Sequence, residues 1–169
     1  TVTDANGCSV PIPPVFITAP AALIAGATQT PVTCFGGSDG TATANPSGGT
    51  PFAGPNPYNY SWNTTPVQNT QTATFLSAGS YDCTITDANG CSVLTTVIVG
   101  SPAVFIASPA PLTTDITCNG DDDGTATAFG AGGTPPYNYL WSDGQNTPTA
   151  TGLAPGTYIC TITDGAGCP

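Results

Sequence analysis

Seven cysteines and ten acidic side chains, every one an aspartate, carry most of the chemistry open to this 169-residue chain. The cysteines are Cys8, Cys34, Cys83, Cys91, Cys118, Cys160 and Cys168. At recurrent spacings and with no histidine beside them, they read as disulfides in an oxidising compartment better than as metal ligands. Spacing alone does not give their connectivity. Asp121-Asp-Asp123 is a candidate calcium turn, with Asp121 and Asp123 as the ligands, because Ca²⁺ takes clustered carboxylate and carbonyl oxygens. The matching turn upstream has only Asp39, so the cluster is not a property of the repeat described below. Asp39 and Asp123 are better read as holding the turns before Gly40 and Gly124. The chain has no His, Lys, Arg or Glu. The usual general bases and oxyanion-side cations are therefore missing, and a cysteine nucleophile would lack its histidine. The expectation is a non-catalytic protein with no cofactor.

A net charge of −10 without one basic side chain argues against nucleic acid as a partner, since phosphates need cations. It argues equally against electrostatic docking on anionic lipid. No apolar run approaches the length of a membrane-spanning helix, so membrane insertion is not expected. Good helix formers are nearly absent, whereas Thr, Val, Ile, Tyr and Phe fill the β-prone positions. With 21 Gly and 18 Pro as punctuation, the composition predicts an all-β protein rich in turns.

The elements that position these residues recur. Tyr58-Asn-Tyr-Ser-Trp62 returns as Tyr137-Asn-Tyr-Leu-Trp141. Gly79-Ser-Tyr-Asp-Cys83-Thr-Ile-Thr-Asp87-Ala-Asn-Gly-Cys91 returns as Gly156-Thr-Tyr-Ile-Cys160-Thr-Ile-Thr-Asp164-Gly-Ala-Gly-Cys168, and its tail also stands at Thr1–Cys8. A period of about 80 residues is too long for a solenoid repeat and long enough for a small domain. The length differences fall in loop-like segments, such as Pro51–Asn56 against Pro135. The expected organisation is residues 1–16 as the last strand of a preceding repeat, 17–99 as a complete repeat, and 100–169 as a second repeat lacking its last strand. The chain is expected to be a window of a longer tandem array.

Within a unit, Pro-rich segments such as Val10–Pro20 and Val97–Ile106 read as edge strands or connectors. Val32–Cys34 and Ile116–Cys118 read as short strands, and Asp87-Ala-Asn-Gly90 as a hairpin turn. Side chains alternate along a strand, so Tyr58, Tyr60 and Trp62 share one face, and that face is read as core. Trp62, Tyr81, Trp141 and Tyr158 are the predicted core aromatics. Around seven short strands, a buried Trp, and a Tyr two residues before a Cys match the immunoglobulin-like sandwich with its tyrosine corner. Asn63-Thr-Thr65 and Asn59-Tyr-Ser61 fit the N-glycosylation triplet, making Asn63 and Asn59 candidate acceptors.

The motifs Cys118–Ala128, Gly132–Trp141, Gly152–Tyr158 and Thr161–Cys168, in this order, resemble the SprB-type repeat of long surface proteins in gliding and other Bacteroidota. They are also similar to the PKD domain, another sandwich with a Pro-Tyr-x-Tyr-x-Trp strand. The resemblance implies tandem immunoglobulin-like (PKD-like) β-sandwiches in an extended array, exported to the bacterial cell surface by the type IX route, with a mechanical or adhesive role. It transfers no catalytic residue. It also implies pairing of the two family-typical cysteines, giving Cys34–Cys91 and Cys118–Cys168, with Cys83 and Cys160 as additions to the pattern. The strand-to-strand bond of immunoglobulin domains would instead give Cys34–Cys83 and Cys118–Cys160. A third scheme, Cys8–Cys34 and Cys91–Cys118, would tie neighbouring units together. The leading expectation is a structural spacer whose partners are neighbouring repeats of the same chain. The alternatives are a self-assembling extracellular filament, built from other copies through the apolar strands Val15–Ile17 and Val104–Ile106, and an adhesin module that binds surface glycans.

Overall fold

A computed structural model describes residues 1–11 and 13–169; Ile12, within the Pro-rich connector expected from the sequence, lies outside the described residues. The protein is all-β. A short hairpin, β1 (Val2–Thr3) and β2 (Ser9–Val10), precedes two successive sandwich units. The first unit packs sheet β3-β4-β6 (Ile24–Thr30, Gly40–Ser47, Thr72–Leu76) against sheet β5-β7-β8 (Asn59–Trp62, Gly79–Thr86, Ser92–Val99). The second has β9-β10-β12 (Ile106–Thr114, Gly124–Ala131, Thr149–Leu153) and a two-stranded sheet of β11 (Asn138–Trp141) and β13 (Cys160–Thr163). All pairings are antiparallel.

The period-2 pattern of the sequence explains the packing. On β5, Tyr60 and Trp62 point inward while Asn59 and Ser61 face solvent. Trp62 stands opposite Cys83, and Tyr60 opposite Ile85, across the β5–β7 pair. The facing sheet presents the small side chains Ala42, Ala44 and Ala73, with Leu76 at the end of β6, and the alanines leave room for the indole. The second unit repeats this with Trp141 against Ala128 and Ala150. Trp62 and Trp141 are buried; Tyr81 and Tyr158 are half-buried, packed on the margins of the two cores. Tyr81 donates its hydroxyl to the Ser77 carbonyl (3.0 Å) and Tyr158 to that of Ala154 (3.1 Å). These are the tyrosine corners of the immunoglobulin-like sandwich.

The strand count differs from the sequence expectation. Val32–Cys34 and Ile116–Cys118 form no strand; the first unit has six strands among the described residues. The reason is local: the Val32 amide donates to Gly100 O (3.1 Å), outside any ladder, while its side chain is buried.

Candidate functional site: the junction between the repeats

The Asp of each Thr-Asp-x-x-Gly-Cys motif organises a loop. Asp87 Oδ1 accepts the amides of Asn89 (3.0 Å) and Cys91 (2.9 Å), and Oδ2 accepts that of Thr50 (2.9 Å). Asp164 does the same with Ala166 (3.0 Å), Cys168 (2.8 Å) and Thr134 (2.8 Å). Asp4 makes the local half of the pattern, to Asn6 and Cys8. A carboxylate that accepts several amides is favoured in its charged form. The Thr50 amide, followed by those of Cys91 and Asn89, holds Asp87 below the usual carboxylate range. At Asp164 burial pushes upward most strongly, but the amides of Cys168, Thr134, Ala166 and Gly167 together outweigh it, and the group is again lowered.

The partner segment is Gly48-Gly-Thr50, or Gly132-Gly-Thr134. Gly49 and Gly133 have φ of +64° and +56°, and a Cβ would stand 2.8 Å from Asp87 Oδ2 or 2.6 Å from Asp164 Oδ2. Only glycine combines that backbone with that approach. The same segment anchors the incoming chain: Gly49 donates to Ala21 O (2.9 Å) and Gly133 to Ala103 O (3.2 Å). The connector between the units is thus short. Gly100 is bonded to the first unit through Val32, Ala103 to the second through Gly133, and only Ser101 and Pro102 lie between.

Beside this connector runs a second covalent tie. Cys34 of the first unit is disulfide-bonded to Cys168 of the second, with Cα atoms 5.8 Å apart, inside the usual range for such a bond. Both halves are mounted on carboxylate-closed loops. Cys168 has its amide on Asp164, and Cys34 follows Thr33, whose amide (2.9 Å) and hydroxyl both bond Asp39. The Thr33 hydroxyl, followed by its amide, lowers the Asp39 carboxyl.

This bond overturns the expected pairings. Cys34–Cys91 and Cys118–Cys168 do not form, because the two positions of one unit lie at opposite ends of the sandwich. Cys91 precedes β8, whereas Cys34 lies near Gly100 just beyond the end of that strand. Eight residues of strand separate them by about 25 Å. Cys34–Cys83 and Cys118–Cys160 do not form either. Cys83 is wholly buried against Trp62, and Cys160 is half-buried at the matching position. Burial pushes both thiols up, against a smaller opposing effect of a backbone hydrogen bond. The Cys8–Cys34 scheme had the right kind of bond with the wrong partner: Cys34 is tied to the unit that follows it.

The remaining candidates sit elsewhere. Asp123 receives the Thr117 amide (2.9 Å) and hydroxyl, the same loop closure as Asp39, and Asp121 Oδ2 lies 3.4 Å from the same hydroxyl. Among the described residues no cluster of three or more His, Cys, Asp or Glu groups is placed to hold a metal. Asn63 is exposed but engaged with Asp82, accepting its amide (3.0 Å); Asn59 is exposed on β5. The second unit also carries an open groove of about 500 Å³ lined by Thr114, Ile116, Gly124, Leu153 and Tyr158. In the first unit Val99 of β8 packs over Gly40, the counterpart of Gly124. Two features escaped the sequence reading. One is the buried role of Asp87 and Asp164, signalled only by joint recurrence with Gly-Gly-Thr. The other is Phe75, 86% exposed at φ 56° where the second unit has Gly152.

Residues 26–66 and 112–146 match the SprB repeat family. Each of the two units therefore contains a segment similar to the SprB repeat. SprB repeats are structural repeats of cell-surface proteins. The matched segments include Cys34 and Cys118 but neither Cys91 nor Cys168. A solved structure, the three N-terminal domains of the bacteriophage RB49 Highly Immunogenic Outer Capsid protein (Hoc), is similar at 21% identity and a TM-score of 0.48. The similarity covers 83% of this chain and 54% of that one. No curated protein matches. No helix among the described residues is long and apolar enough to cross a membrane.

Proposed function

We propose that this chain is a non-catalytic segment of a long extracellular fibre or stalk on a bacterial cell surface, with repeats at 17–99 and 100–169 in an extended array. The observation that carries this reading is the doubled covalent joint. A short connector and the Cys34–Cys168 bond cross the same junction, and two ties restrict bending and twisting where one would leave a swivel. A spacer needs that stiffness; an enzyme or a lone binding domain does not. Electron microscopy of the native surface material tests it. Straight fibres of tandem beads that persist as one long covalent chain under denaturation with reductant support the stalk. Compact particles with no axial repeat would refute it.

One observation favours a second reading, a filament assembled from copies by strand donation. The groove of the second unit lies where β8 packs in the first, and Val15, Phe16 and Ile17 are 83%, 83% and 96% exposed. That segment stands at the repeat position of Val97-Ile-Val99, whose two valines are buried. On this reading the Val15–Ile17 segment of one copy fills the groove of another. The same material would then fall into short, equal subunits under denaturing, reducing conditions.

A further inference from the structure

We infer that the Cys34–Cys168 bond is one step of a periodic series, in which Cys91 and Cys118 are half-staples to the units on either side. Each repeat would then contain no disulfide of its own and be tied covalently to both neighbours. This rests on the tandem-array reading and adds the chemistry of its joints.

Repeat equivalence makes the first argument. Cys118 stands in Ile-Thr-Cys as Cys34 stands in Val-Thr-Cys, and Cys91 ends the Thr-Asp-x-x-Gly-Cys motif as Cys168 does. Placement makes the second. Cys91 lies at the entry end of the first unit, beside the Asp87–Thr50 bond and the Gly49–Ala21 anchor. Cys118 lies at the far end of the second unit, in the loop before β10. Both are exposed, and neither has a mate within its own unit. The mounts make the third argument. Cys91 N is held by Asp87 at 2.9 Å, as Cys168 N is held by Asp164 at 2.8 Å. Thr117 is clamped by Asp123 as Thr33 is by Asp39. The two free thiols are therefore presented on the same backbone frames as the two bonded sulfurs. Cys8, with its amide on Asp4 at 2.9 Å, repeats the Cys168 frame a third time. Cys83 and Cys160 have no such frame and face the cores.

The partner of Cys118 is accordingly a Gly-Cys loop of a further unit, and that of Cys91 a Val/Ile-Thr-Cys loop. Each bond joins two thiols with loss of two protons and two electrons. The acceptor is a disulfide-bearing thiol oxidant of the export compartment, reduced to its dithiol.

The test is disulfide mapping on the native, full-length material. Free thiols are alkylated under denaturing conditions without reductant, and the chain is cut at Asp and at aromatic residues, since it offers trypsin no site. Expected are the Cys34–Cys168 peptide pair, Cys118 joined to a Gly-Cys peptide and Cys91 joined to a Thr-Cys peptide, with all three pairs lost on reduction. Cys83 and Cys160 should be recovered alkylated. A non-reducing against a reducing denaturing gel then says whether the partner unit belongs to the same chain or to another copy. Either result sustains the staple. Alkylated Cys91 and Cys118, or a Cys34–Cys91 pair, would overturn it. Fibres seen by microscopy with alkylated Cys91 and Cys118 sink the staple and leave the stalk; mapped staples without fibres do the reverse.

Discussion

Removing the Cys34–Cys168 bond should uncouple the unfolding of the two units, and the size of the effect follows from where the bond lies. In the chain-entropy description a cross-link stabilises by restricting the unfolded chain, and the effect grows with the logarithm of the loop closed. Cys34 and Cys168 are 134 residues apart, which gives about 5 kcal/mol when both units unfold. When only the second unit unfolds, the folded first unit still holds Gly100 beside Val32, close to Cys34. The unfolded stretch from Gly100 to Cys168 is then a closed loop of about 68 residues, and the bond contributes about 4 kcal/mol. When only the first unit unfolds, the second holds Ala103 and Cys168 through Gly133 and Asp164. The loop from Cys34 to Ala103 is of similar length and the contribution is again about 4 kcal/mol. These contributions overlap. Once one unit has opened, the bond adds less than about 1 kcal/mol to the other. The coupling is therefore about 3–4 kcal/mol, which suppresses half-opened molecules by roughly two to three decades.

Each unit carries one tryptophan, Trp62 and Trp141, so fluorescence can follow them separately. Urea unfolding is compared for Trp62→Phe and Trp141→Phe, each with the bond intact and with Cys34→Ser plus Cys168→Ser. The cost of losing the indole cancels within each pair. With the bond intact the two probes should report near-coincident transitions. Without it, the first unit to open should do so earlier by about 2–3 M urea, for a slope of about 1.5 kcal/mol/M, and the two transitions should separate. Unchanged midpoints on removing the bond, or transitions already well separated with it intact, would refute the reasoning.

Stability should be flat from neutral pH down to about pH 4 and fall below it. The folded-state carboxyls of Asp39, Asp87, Asp123 and Asp164 are lowered. Their contribution is therefore complete above the unfolded value near about 3.9 and is lost as pH drops through the folded ones. Thermal melts across that window check it, and Asp87→Asn should be less stable at pH 7 with a shallower acid loss. Gly49→Ala, and separately Gly133→Ala, should each destabilise its own unit by at least about 1–2 kcal/mol, since a Cβ must adopt a left-handed backbone and meets the buried carboxylate. The single-tryptophan fluorescence of the affected unit reports it. Phe75→Gly should stabilise the first unit by about 0.5–1 kcal/mol, the relief of a left-handed non-glycine residue less the extra entropy of glycine in the unfolded chain; urea midpoints measure it.

Much of the fold was legible because it is written at period 2. Tyr58, Tyr60 and Trp62 on one face, and Tyr81, Cys83 and Ile85 on another, need only strand alternation to be placed. Their recurrence fixes a second unit of the same design. Val32–Cys34 was misread as a strand because three residues carry too little periodicity, and its amide goes to Gly100 instead of a ladder. The disulfide was illegible for a geometric reason. Pairing depends on which end of the sandwich each sulfur occupies, and the repeat offers every unit the same three sulfurs, so a bond within a unit and one between units look identical in sequence. The buried carboxylates were hidden by their residue type: an Asp in a turn reads as a solvent-facing cap until its second oxygen is found on the distant Gly-Gly-Thr segment.

The missing cations give these features a common cause. With no Lys, Arg or His, no pair of side chains can form a salt bridge across the junction, and the facing units carry like charge. That repulsion is weak beyond about 8 Å at physiological salt, yet nothing electrostatic offsets it. Four of the carboxylates bond backbone amides instead, two of them buried. Asp39, Asp87, Asp123 and Asp164 find their positive partners in backbone amides of their own unit. There they fix the loops that present Cys34, Cys91, Cys118 and Cys168. The charge of this chain is thus used to shape each unit, and the task of holding one unit to the next passes to bonds that carry no charge: the Val32–Gly100 and Gly133–Ala103 hydrogen bonds and the disulfide beside them. A joint built this way does not loosen as ionic strength rises, whereas one built on ion pairs would.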